Sequence, residues 1–127
     1  MKQPPHGEVT IQTLAMPADT NPNGDIFGGW LVSQMDLAAG VLAKRIAQGR
    51  AVTVAIHSMS FLRPVHVGDV VTCYVHLQKR GTTSMTIGIE VWSQGESGSE
   101  AYKVTEGIFI FVAVDAEGNP RPLPEGV

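Results

Sequence analysis

The sequence holds one cysteine, Cys73, so no internal disulfide can form and the chain fits a reducing compartment. Charge is scarce as well: 17% of residues are charged, and a net charge of -3 lacks the basic surplus of a nucleic-acid binder. The pairs Lys44-Arg45 and Lys79-Arg80 read as solvated surface. No apolar run approaches the roughly 18 residues of a membrane span, and none follows a basic N-terminal start. The expectation is a cytoplasmic protein without a membrane partner. The histidines His6, His57, His66 and His76 fall into no HxxxH or HxH spacing, and with a lone cysteine they predict no metal site. A GxSxG elbow, a Walker-type loop and internal repeats are all missing.

What is present suits one small domain over residues 1–127, with 43% hydrophobic content for a core. Met1–Gly7 (MKQPPHG) reads as a loose arm. Val9–Met16 is rich in β-branched residues and predicts a first strand, ended by Pro17. Asp19 to Gly24 is a dense turn cluster. From Gly28 to Gln48 the period becomes helical: Leu31, Met35, Ala38 and Leu42 form a stripe, widened by Val41, and Gly49 stops it. The period then drops to two. Val52, Val54 and Ile56 alternate with Thr53, Ala55 and His57 in a strand running to Phe61-Leu62.

Arg63-Pro64 and Val67-Gly68-Asp69 turn into a strand with Val71, Cys73, Val75 and Leu77 on one face. Beyond Lys79-Arg80-Gly81, Met85, Ile87, Ile89 and Val91 share a face of the next. Ser93–Glu100 reads as a flexible hairpin tip. The last strand, Tyr102–Val114, has Val104, Ile108, Ile110, Val112 and Val114 on one face and Phe109 and Phe111 on the other. Asp115–Val127 is an irregular tail. Short connections make the strands antiparallel, so one helix covers a five-stranded sheet in an α+β layer. Several strands are apolar on both faces, which predicts burial of the second face against another subunit.

Chemistry concentrates in Asn21–Asp36 (NPNGDIFGGWLVSQMD). Asp36 sits mid-helix, where its short side chain competes for backbone groups. Val32, Ser33, Gly40 and Ala43 are its helical neighbours, small enough for a slim ligand to approach. Such a carboxylate can be a general base or a nucleophile towards a carbonyl, and equally a solvated helix residue. Gly28-Gly29 stands at the helix start, where unpaired N–H groups and the positive dipole end could form an oxyanion hole, or where a tight turn simply needs glycine. Asn21 suits a turn, and Asp25 suits the approach to a helix N-terminus. Cys73 belongs to an apolar strand face.

The runs LAMPADTNPNGDIFGGWLVSQMD, GRAVTVAIHSMSFLRPVHVGDVV and KRGTTSMTIGIEVW together resemble the hotdog-fold acyl-CoA thioesterases, and within them the small bacterial acyl-CoA hydrolases of the YciA type. The resemblance covers Leu14 to Val114. It implies a five-stranded antiparallel sheet wrapped around one long central helix. It also implies sheets joined edge to edge in a dimer, further assembly as a trimer of dimers, and active sites at the dimer interface. By this resemblance Asp36 is the catalytic carboxylate, Asn21 comes from across the interface, and the N–H groups of Gly28 and Gly29 face the thioester carbonyl. Arg63, Pro64, Gly81, Thr82, Thr83 and Ser84 fall in segments that contact CoA. No cofactor is implied. The implied activity is hydrolysis of acyl-CoA to a free acid and CoA. Two rivals are a hotdog hydratase or dehydratase, which commonly needs a histidine beside its acid, and a non-catalytic acyl-CoA-binding module.

Overall fold

Strands and helix follow the expected order: β1 (Glu8–Leu14), a 3-10 turn (Pro17–Asp19), α1 (Gly28–Ala47), β2 (Ala51–Phe61), β3 (Val70–Arg80), β4 (Ser84–Gln94) and β5 (Tyr102–Ala113). The structure is a computed structural model and describes residues 4–95, 97–98 and 100–125. Parts of the expected arm (1–3), hairpin tip (96, 99) and tail (126–127) lie outside the described residues. The strands form one antiparallel sheet in the order β1-β3-β4-β5-β2. The strands on either side of the helix in sequence are thus the two sheet edges, and α1 carries the chain between them. Five strands spaced by about 4.8 Å need roughly 19 Å. The 20-residue helix, about 30 Å long, spans that width and packs on every strand.

The helix buries Leu31, Met35, Ala38, Ala39, Leu42, Ala43, Ile46 and Ala47. Its alanines let the backbone lie close to the sheet, and Thr10 of β1 donates its hydroxyl to Ala38 O at 2.9 Å. Val41, expected on this stripe, is 42% exposed. At 100° per residue it points well away from Met35 and shares an outward patch with Leu37, one turn earlier. The helix stops through Gln48, not Gly49: Gln48 takes the left-handed conformation (φ 52°) and its N–H bonds back to Arg45 O and Lys44 O. Arg121, from the tail, donates to Ala47 O at 2.9 Å and to Val114 O at 3.0 Å. Its cation also suits the negative end of the helix dipole.

Val71, Cys73, Val75, Met85, Ile87, Ile89 and Val91 fill the core as expected, while Leu77 is left exposed. On β5 the buried face belongs to Thr105, Gly107, Phe109, Phe111 and Ala113, with Ile108, Ile110 and Val112 half-buried on the outer side. Val104 is buried too: Val91 pairs with Thr105 and Trp92 with Lys103, so Val104 is the extra residue of a bulge in β5 that breaks the alternation there. Ser93 belongs to β4 and not to a hairpin tip. It is fully buried and donates to Oδ2 of Asp69 at 2.9 Å.

β2 departs most from simple alternation. Register shifts at Thr53/Ala55 and His57/Ser60 mark two bulges, and Ser58 in the second has φ 53°. Directly opposed residues share a sheet face. Thr53 faces Phe111, Ile56 faces Phe109, and Phe61 faces Thr105. All three therefore lie on the helix side, whereas Val52, opposite Val112, lies outside. The single face expected for Val52, Val54 and Ile56 does not exist.

Candidate active site

The loop before α1 is stapled by one side chain. Oδ1 of Asn21 accepts from Asn23 N at 2.9 Å and Asp25 N at 3.1 Å, while Asn21 N donates to Asp25 O at 2.7 Å. These acceptances fix which amide atom is the oxygen, and among the described residues the NH2 group has no hydrogen-bond acceptor. The loop is then tied down by Ile26 N to Val65 O at 3.0 Å and Phe27 N to Asp19 O at 2.9 Å. Asp25 lies 3.7 Å from Nδ1 of His66, both partly exposed.

Phe27 precedes the helix and supplies no side-chain cap, so nothing from the loop competes for the first helical amides. Trp30 N and Leu31 N both reach Phe27 O, at 3.1 and 3.3 Å. The N–H groups of Gly28 and Gly29 find no acceptor among the described residues. A Cβ on Gly29 would meet nothing within 4 Å, so a ligand atom has room to approach. These are two oriented donors at the positive end of a 20-residue helix.

Asp36 lies two turns further on, half-buried, where Thr53 Oγ1 of β2 donates to its Oδ1 at 2.5 Å. Thr53 has no signature in sequence, because only the sheet order brings the far-edge strand against this turn of α1. Gly40, one turn on, rests on the Phe111 ring, 3.8 Å from where a Cβ would stand. That is ordinary van der Waals distance, so this face of the helix meets the sheet and not an open cleft.

Gly28 also lines a cleft of about 360 Å³ with Ile26, Leu31, Phe61, Leu62, Arg63 and Pro64. The Arg63 guanidinium is held 4.9 Å above the Tyr102 ring. The segment 81–84 is elsewhere. Thr82 O accepts from Leu123 N and Thr83 O from Ala113 N, both at the end of the fold where Arg121 caps the helix C-terminus. Within one chain, then, Arg63 and Pro64 join the helix N-terminus and Gly81, Thr82, Thr83 and Ser84 do not. Asp36 and Gly28 are also separated, by eight residues or about 12 Å of helix rise. Cys73 is fully buried and its thiol is pushed up to about 12 by that burial, so it is no nucleophile.

Residues 23–99 match the thioesterase superfamily. The chain belongs to that superfamily. Its thioesterase sequence is 61% identical over 127 residues to the acyl-CoA thioester hydrolase YciA of Salmonella typhimurium, covering 98% of this chain and 96% of that one. In structure it is similar to a hexameric thioesterase from Yersinia pestis (57% identity, TM-score 0.92, 96% of this chain and 99% of that one). It is similar, too, to a hexameric hotdog fold thioesterase of Campylobacter jejuni (36% identity, TM-score 0.88, 94% and 92% covered). The long helix on a five-stranded antiparallel sheet is the hotdog fold.

Proposed function

We propose that this single-domain protein is a cytoplasmic acyl-CoA thioesterase that converts acyl-CoA and water to a carboxylic acid and CoA. The observation that carries the mechanism is the Asp36–Thr53 pair. Thr53 occupies Oδ1 and leaves Oδ2 as the basic oxygen, and a carboxylate held by that bond is a poorer nucleophile, so Asp36 acts as general base. Water oxygen bonds to the thioester carbonyl carbon as its proton passes to Asp36. The N–H groups of Gly28 and Gly29 hold the oxyanion. The tetrahedral intermediate then breaks its C–S bond, and CoA leaves as a thiolate that takes up the proton. Asn21 orients water or carbonyl through its free NH2 group. Burial of Cys73 leaves the reaction without a competing thiol.

One thioester group cannot touch both Asp36 and Gly28 of the same chain across about 12 Å of helix. The protein therefore works as a homo-oligomer in which one protomer's Asp36–Thr53 pair completes its neighbour's Gly28-Gly29 amides. β2 is the edge suited to join two copies, since it offers unpaired backbone and exposed Val54 and Ile56. The half-buried outer residues Ile108, Ile110 and Val112 suit a second contact, giving a trimer of dimers. CoA would lie between Arg63 and Pro64 of one protomer and Gly81, Thr82, Thr83 and Ser84 of another.

A thiol reagent followed over acetyl- to palmitoyl-CoA tests the reading. Free thiol should appear with the wild-type protein. Asp36→Asn should lower kcat by about 10²- to 10⁴-fold with KM little changed, and Asn21→Ala should lower kcat more than KM. Near-normal turnover in Asp36→Asn would sink the mechanism. Tight binding of CoA esters without thiol release would instead mark a binding module.

A further inference from the structure

Phe61 is an aromatic residue left 53% exposed at the end of an edge strand, beside the amides just described. Its Cε1 and Cζ stand 3.5 and 3.6 Å from the place a Cβ of Gly28 would take. The ring reaches this position through the bulge at His57/Ser60. Without that extra residue the end of β2 would turn its other face to the helix, and Ser60, not Phe61, would point there. Pairing with buried Thr105 then fixes Phe61 in register. A conformation costly for a non-glycine residue, Ser58 at φ 53°, is kept in the strand that delivers one exposed ring to the helix N-terminus.

Resting on the thioesterase reading above, we infer that Phe61 is a specificity-determining residue that reads the breadth of the acyl group next to the thioester. A carbonyl oxygen accepting from Gly28 N at about 3 Å brings its carbonyl carbon to within a few ångströms of the ring. That carbon carries two substituents. The sulfur arm is the same slim chain in every CoA ester, so width varies only at the acyl α-carbon. A flat aromatic wall accepts an unbranched CH2 and collides with a branched or quaternary carbon. The apolar walls beside the ring, Ile26, Leu31, Leu62 and Val65, carry no hydrogen-bonding side chain, while the charged groups of the cleft, Asp25 and Arg63, have nothing to bond on a hydrocarbon α-carbon.

Thiol release should be compared for butyryl-, isobutyryl- and pivaloyl-CoA with wild-type protein, Phe61→Ala, Phe61→Leu and Phe61→Trp. Wild type should prefer butyryl over pivaloyl. In Phe61→Ala the ratio of their kcat/KM values should fall by about tenfold, the scale of one or two methyl groups in an apolar site. Phe61→Leu should lie between, and Phe61→Trp should raise the ratio. Helix, sheet and oligomeric state should persist in every variant, as far-UV circular dichroism and sedimentation can verify. Parallel loss on all three esters in the leucine and alanine variants would overturn the inference, placing the ring on the shared CoA arm. Wild-type protein that releases thiol from none of the three, nor from any straight-chain ester, would bring down the thioesterase reading itself and this inference with it.

Discussion

Asp36 shows how little a single residue says about itself. A mid-helix aspartate fits a solvated position as well as a base, and what the fold adds is Thr53, seventeen positions away, whose hydroxyl bonds it. Thr53→Val should leave the fold intact and lower kcat by about 10-fold, since a hydrogen bond to a charged group contributes about 1.5–3 kcal/mol. Thr53→Ser should restore most of that rate, and failure of serine to do so would remove the hydroxyl from the argument. Asn21 was legible as a turn residue, and it is one: its oxygen staples the loop. The same bonds leave its NH2 group available for the role proposed above. Gly28 and Gly29 were legible because a helix start leaves N–H groups unpaired whatever the fold around it. Gly40, equally small, packs on Phe111 instead.

At the scale of elements, the period of the apolar residues located every strand and the helix, because burial enforces it on each in turn. It failed where local geometry breaks the period. Two bulges in β2 turn Ile56 to the helix side and leave Val54 as the extra residue of the first, and a bulge in β5 accounts for the buried Val104. Alternation cannot reveal a bulge, since the extra residue has no fixed identity. The C-terminal tail was likewise opaque: its proline content said irregular, yet Arg121 reaches two carbonyls, one of them the last of α1. Arg121→Ala should lower stability by roughly 1–2 kcal/mol, as expected for charged hydrogen bonds at a partly buried helix end. Thermal unfolding should show a drop of several degrees. An unchanged midpoint would mean that water replaces the arginine without loss.

For the whole molecule, the sequence made the layer architecture readable, because short connections leave few antiparallel arrangements. It did not say that β1 and β2 are the two edges, which only the sheet order reveals. Val54→Lys places a charge on the free edge of β2 and should shift the protein towards smaller species in sedimentation, with thiol release lost in parallel. Retained activity in a monomer would contradict the shared site. The sheet order has one more consequence, concerning time. β2 carries Thr53 and Phe61, and among the described residues it pairs only with β5, made last. A chain still being synthesised can build its helix, but it cannot dock the strand that holds the hydroxyl of Thr53 against Asp36. The site proposed above is therefore incomplete on the ribosome until the final strand has emerged, and a product truncated before Tyr102 should release no thiol from acyl-CoA.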